Sequence, residues 1–196
     1  MPTTHSSIQE GELKPDFSPN NRSKFQTISS YVLLGIILPL LTAYLAWSLG
    51  MPQPRVHDEF SYLFMADTFA LGRLTNPAHP LAEFFQTFHI IHHDGIYASK
   101  YFPGIGFQLL AGKVLGHPMI GVWLTIGLFG VSLLFVLRQF FHSRVALIVS
   151  LLCSLQFMVL TYFGHSYWGG SLMALAGVWI LGGAVLAAKS SRVRYS

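Results

Sequence analysis

Apolar positions fall in four long blocks separated by short polar or aromatic stretches. The blocks are 28–49, 119–137, 145–163 and 170–188. Each is close to the ~20 residues that an α-helix needs to cross a hydrocarbon layer. The first carries Pro39 at its middle, which removes one backbone donor and predicts a kink, and Trp47 near its far end, which suits an interfacial anchor. The fourth carries Gly170, Ala174, Gly177, Gly182 and Gly183, small surfaces that let membrane helices approach closely. The pattern predicts an all-α polytopic membrane protein of four spans within a membrane domain, 28–188.

Between the first two blocks lies a long segment, 50–118, with structure of its own. Its residues 58–71 read as an amphipathic helix with Phe60, Leu63 and Phe64 on one stripe, and Gly72 stands where a helix-terminating glycine belongs. Asn76-Pro77-Ala78-His79-Pro80 is an irregular turn. The runs 85–91 and 96–101 flank His93-Asp94-Gly95, and Asp-Gly between apolar runs predicts a small hairpin. The apolar stretch 105–115 is too short to span and contains Lys113, so it reads as a helix lying at the interface.

Composition narrows the class. Of 196 residues, 52% are hydrophobic and only 10% charged, which excludes an ordinary soluble domain. The single cysteine, Cys153, lies inside an apolar block and rules out a disulfide framework. The net charge of +4 is spread along the segments between spans and forms no basic patch, so no nucleic-acid partner is expected. Residues 1–27 are polar, with three prolines, and read as a disordered cytoplasmic tail; residues 189–196 read as a second, basic cytoplasmic tail. With both ends inside, Lys14, Arg22, Lys24, Arg138, Arg144, Lys189, Arg192 and Arg194 are cytoplasmic. Arg55, Arg73, Lys100 and Lys113 are spread over the far longer outer loop. The positive-inside rule favours this orientation in a cell (inner) membrane. No charged residue falls within a span, which disfavours a channel, pump or small transporter.

Candidate chemistry gathers in the outer loop. Asp58 and Glu59 are adjacent at the start of the predicted helix. A carboxylate pair there suits a general base or metal ligand at the membrane surface, and equally suits a helix cap placed at the positive end of the dipole. His57 adjoins Asp58, and His89, His92 and His93 lie near Asp94. Imidazole and carboxylate together suit a divalent metal, although alternation on a hairpin keeps the three histidines from converging. His165 lies in the short turn 164–169, on the same side of the membrane. Arg73, Lys100 and Lys113 are cations that suit either a phosphate or interfacial anchoring. Tyr101, Tyr167 and Trp168, with neighbouring aromatics, suit sugar stacking or an interfacial belt alike.

Several of these motifs, taken in order, resemble the N-terminal part of the GT-C superfamily of membrane glycosyltransferases, which includes protein O-mannosyltransferases and lipid A aminoarabinose transferases. Asp58-Glu59-Phe60-Ser61-Tyr62 after the first span is similar to the family's Asp-Glu motif and following tyrosine. Gly72-Arg73-Leu74-Thr75-Asn76-Pro77-Ala78-His79 is similar to its Gly-Arg stretch ending in Pro and His. Lys100-Tyr101-Phe102-Pro103-Gly104 is similar to its Lys-Pro-Pro-type motif, and His165 to Gly170 resembles a segment of an uncharacterised bacterial branch. The resemblance implies transfer of a sugar from a polyprenyl phosphate to an acceptor on the extracytoplasmic face. It implies Asp58 as the acceptor-activating or metal-organising carboxylate with Glu59 in support, and Tyr62, Arg73, His79, Lys100, Tyr101, His165, Tyr167 and Trp168 at the substrate. A divalent ion at His57 and Asp58 would be the cofactor. Where some relatives carry a metal-binding glutamate this chain has Ser99, so that metal role does not carry over. The family's larger number of spans implies partner helices from a C-terminal part. The competing expectation is a non-catalytic membrane scaffold or assembly partner.

Overall fold

The computed structural model describes residues 19–194. It is mostly helical, with three helices long and apolar enough to cross a membrane: Gln26–Leu49, Pro118–Leu137 and Gly170–Lys189. The first comprises α1 (Pro19–Val32), a π turn at Leu33–Ile37 and α2 (Leu38–Leu49), continuous in space. Pro39 explains the irregularity: it has no N–H to offer the carbonyl of Gly35, and the helix widens by one residue just before it. The Leu38 N–H accordingly bonds to the carbonyl of Leu33.

Helix α5 (Pro118–Leu137) is the central element. The first span, α4 (Pro103–Val114), α6 (Ser143–Ser154, extended by a π turn at Leu155–Val159) and α7 (Gly170–Arg194) all pack against it. The core runs through this contact, with Leu34 and Leu38, Leu109, Val122, Ile126 and Leu134, and Val159 all buried. Gln108 of α4 donates to Thr125 of α5 at 3.0 Å and to Ser171 of α7 at 3.0 Å, a buried polar tie across three helices.

The predicted third span is shorter than expected. Helix α6 with its π turn covers only Ser143–Val159, about 25 Å at 1.5 Å per residue. The remaining part of block 145–163 leaves the helix and forms a 3₁₀ turn at Tyr162–Gly164. That turn is tied to the bundle: Trp123 of α5 donates its indole N–H to the Gly164 carbonyl at 3.2 Å. A Cβ at Gly164 would lie 2.9 Å from the Thr42 methyl of α2. Irregular backbone at membrane depth persists only where protein satisfies it, and apolar periodicity cannot distinguish such a segment from a helix.

The outer-loop elements lie at one end of this bundle. Helix α3 (His57–Ala70) ends in a Schellman motif, with Gly72 at φ +70° donating to Phe69 and Arg73 N–H donating to Thr68. Strands β2 (Ile90–His93) and β3 (Ile96–Ser99) form the expected hairpin, with Asp94 at φ 49° and Gly95 at φ 75° in the left-handed pair that a two-residue turn requires. A third strand, β1 (Asn76–Pro77), pairs with β3 and was not legible as a strand. At the termini, residues 19–27 belong to α1 and residues 189–194 to α7, where tails were expected. The remainder of both expected tails lies outside the described residues.

Candidate functional site

Helix α3 begins one residue earlier than the pattern predicted, at His57, with Val56 as N-cap. This shift decides the fate of the two carboxylates. Glu59 is the third helical residue and its carboxylate turns back along the chain. Oε2 accepts the N–H of Arg55 at 2.7 Å and of Val56 at 3.2 Å, and Oε1 accepts the N–H of Tyr167 at 3.0 Å. Its exposure is 0%. Glu59 is therefore the capping carboxylate, and it clamps the turn before α7 onto the start of α3. Tyr167 completes the clamp, donating its hydroxyl to the Pro52 carbonyl at 3.0 Å; burial, followed by the charge of Glu59, raises its pKa. Glu59 and Tyr167 are both buried, and these bonds tie the start of α3 to the turn before α7.

Asp58 makes no capping bond among the described residues. It points instead toward the hairpin, with Oδ1 accepting from the Tyr101 hydroxyl and lying 2.8 Å from His89 Nδ1. His89 Nδ1 also lies 2.8 Å from the Tyr101 hydroxyl. Tyr101 has one proton and gives it to Asp58, so Nδ1 must itself carry a proton to satisfy both oxygens. In the neutral imidazole that leaves Nε2 with the lone pair. Both Asp58 and His89 side chains retain 21% exposure, so the pair is sheltered but reachable.

The pairing follows from one helix face meeting one hairpin. Ser61 follows Asp58 by three residues, on the same face. Its hydroxyl donates to the His89 carbonyl at 2.8 Å and meets the Ser99 hydroxyl at 2.7 Å. The Tyr101 N–H donates to Ser99 Oγ at 3.3 Å and the Lys100 N–H to the His89 carbonyl at 3.3 Å. Ser99 thus fastens the hairpin to α3. His57 stacks on His89 with centroids 5.6 Å apart, and Tyr62 lies against Tyr101 at 4.7 Å. Burial is the main reason, and the charge of Asp58 a further one, that the Tyr62 and Tyr101 pKa values are raised. Lys100 Nζ sits 3.5 Å above the Phe88 ring and 5.2 Å from the Tyr101 ring, which carries a fixed cation beside the pair.

Other expected site residues lie elsewhere. Arg73 is exposed beyond the opposite end of α3, on the order of 20 Å from Asp58 along the helix axis. His79 lies at the turn end of the hairpin, where Ala78 N–H bonds to Gly95, and its Nδ1 accepts from Leu81 N–H at 3.1 Å. His165 lies 2.9 Å from the Val159 carbonyl, and Trp168 packs edge-on to Tyr162. His165 lines a small cavity of about 210 Å³ together with Arg55 and Tyr162. His92 packs against Tyr97, and His93 pairs with Asp94 at the exposed hairpin tip. Lys113, expected as an anchor or phosphate contact, pairs with Asp67 of α3.

Among the described residues no three His, Cys, Asp or Glu side chains gather as a ligand set. Asp58 Oδ1 is engaged by the Tyr101 hydroxyl and by His89 Nδ1. The sequence groups His89 with His92, His93 and Asp94, whereas the structure brings it to Asp58. Its spacing to Asp58 is 31 positions and signals nothing; only the docking of the hairpin reveals the pair.

Compared with known proteins, the chain matches no family model, no curated sequence and no solved structure. Any function must therefore be argued from the residues and their arrangement.

Proposed function

We propose that this chain is the Asp58-bearing module of a GT-C-like glycosyltransferase of the cell envelope. In this reading the first span, α5, α6 with its following turn, and α7 make four membrane crossings of an inner membrane. The N-terminus is cytoplasmic and Asp58 lies on the extracytoplasmic face. Two features support the orientation: Lys24, Arg138, Arg144 and Lys189 lie at the end of the bundle opposite Asp58, and cytoplasmic ends favour basic residues. Helices from a C-terminal part would pack on α7, whose apolar face is largely uncovered.

One observation carries the reading. Asp58 is released from helix capping by Glu59 and is held instead by Tyr101 and by the protonated nitrogen of His89. A carboxylate spent only on a cap would have no such partners. In the mechanism an acceptor hydroxyl loses its proton to Asp58, directly or through His89 Nε2, as its oxygen bonds to the anomeric carbon. The bond from that carbon to the polyprenyl phosphate breaks and its electron pair leaves with the phosphate. Lys100 offsets the charge formed there. Arg73 is too distant for this part, and no step requires a metal.

Transfer from a polyprenyl-phosphate sugar, measured on purified protein in lipid, tests the proposal. Asp58→Asn and His89→Gln are expected to lower the rate about 100-fold or more while the protein still folds. Full activity in Asp58→Asn rules out the role. Absence of both lipid-linked sugar binding and transfer in the unaltered protein favours the scaffold reading.

A further inference from the structure

A large cavity lies at the opposite end of the bundle from Asp58. It encloses about 730 Å³ between the start of the first span and the α5–α6 turn, and Arg138, His142 and Arg144 line it. Three features suit an anion there. Arg138 Nε is buried with no hydrogen-bond partner among the described residues. The rest of its guanidinium is only lightly engaged, by a 3.5 Å contact to Thr27 Oγ1 and by the Tyr31 ring at 5.2 Å. Helix α6 opens onto the cavity at Ser143, and its N-cap, His142, makes no side-chain capping bond. The first-turn amides and the positive end of the helix dipole thus face the arginines.

The first-span wall begins polar, with Gln26, Thr27, Ser29 and Ser30, and turns apolar further along the span. Leu33 and Leu147 line the cavity, and both lie on helices that continue into the bundle core or its lipid-facing surface. The cavity therefore straddles the boundary where the polar start of α1 gives way to the apolar span. A free phosphate would use only the arginine end. A molecule with a phosphate at one end and a hydrocarbon chain at the other would use both walls.

We propose that this cavity binds the headgroup phosphate of an anionic phospholipid from the cytoplasmic leaflet. Arg138 and Arg144 make charge-assisted bonds to the phosphate, and the acyl chain lies along Leu33 and Leu147. The site rests on the reading of these helices as membrane-spanning and is independent of the transferase reading, since no residue is shared with the Asp58 cluster.

Lipid retention on the full chain tests it. The purified protein is exchanged into detergent containing equal phosphatidylglycerol and phosphatidylcholine, and bound lipids are counted by native mass spectrometry. Phosphatidylglycerol is expected to be retained in preference, with retention falling about fivefold on Arg144→Gln and further on adding Arg138→Gln. Arg144 is exposed, so its replacement leaves the fold in place. Lys113→Gln, at the other end of the bundle, is expected to change nothing. Equal retention of the two lipids, or equal losses in the Lys113 and Arg144 variants, overturns the proposal. Inorganic phosphate at millimolar concentration is the remaining arm. If it raises the melting temperature as much as phosphatidylglycerol does, the site takes a free anion and the lipid assignment fails.

Discussion

Asp58 and Glu59 are neighbours with opposite fates, and the difference lies in which way each side chain leaves the first turn of α3. Glu59 accepts three backbone N–H groups and is fully buried. Its removal strands those donors, so Glu59→Ala is expected to destabilise the protein by about 3 kcal/mol, read as a lowered melting temperature. Asp58→Asn removes charge from a partly exposed site and is expected to leave that temperature within a degree or two. If both variants melt alike, the division of labour between the carboxylates is wrong. Tyr101 gives a second test. Its pKa lies above the ordinary 10.0 because of burial first and Asp58 second. Above pH 10 the folded protein therefore keeps a proton that the unfolded chain releases. Its contribution to stability is whole below pH 10 and falls as the pH rises beyond it. Tyr101→Phe should show a shallower alkaline loss of stability and one fewer late-titrating tyrosine by ultraviolet absorbance.

The arrangement of elements depends on close backbone contact at one crossing. A Cβ on Gly121 of α5 would lie 1.9 Å from the Gln108 carbonyl oxygen of α4, and one on Gly112 would lie 2.3 Å from Gly121 N. Helix α4 can lie against α5 only because both positions lack a side chain. Through Pro103 at its start, α4 follows directly from Tyr101 and so positions the hairpin end that meets Asp58. Gly121→Ala is expected to cost about 2–3 kcal/mol and, by displacing α4, to loosen the Tyr101–Asp58 contact. A variant that melts like the unaltered protein would show that the crossing is less tight than drawn.

At the scale of the whole molecule, the two ends of the bundle differ in chemistry. One end carries the Asp58, His89 and Tyr101 cluster beneath a hairpin. The other carries Arg138, Arg144 and Lys189, the last donating to the Gln139 carbonyl at 3.0 Å across the α5–α6 turn. Single cysteines placed in a Cys153→Ala background test the proposed sidedness. Gln86→Cys is expected to react with an impermeant thiol reagent on intact cells, and Arg144→Cys only after permeabilisation. The reverse result would invert the topology and move the Asp58 cluster to the cytoplasm.

Much of this was legible along the chain because it is local. The three long spans follow from runs of apolar residues, α3 and its end from Gly72, and the hairpin from Asp94-Gly95. Each depends on residues within one helical turn or one two-residue loop of each other. The candidate site was legible only in part. Asp58 and the nearby Lys100 and Tyr101 stood out as residue types. The bond from Tyr167 to Glu59, the retreat of α6 at Val159 and the arrival of His89 beside Asp58 depend on contacts between segments from 30 to over 100 residues apart. Periodicity carries no information on which distant backbone amide a carboxylate will meet. Packing around α5 settled those choices, because a buried charge must find its donors wherever the fold brings them.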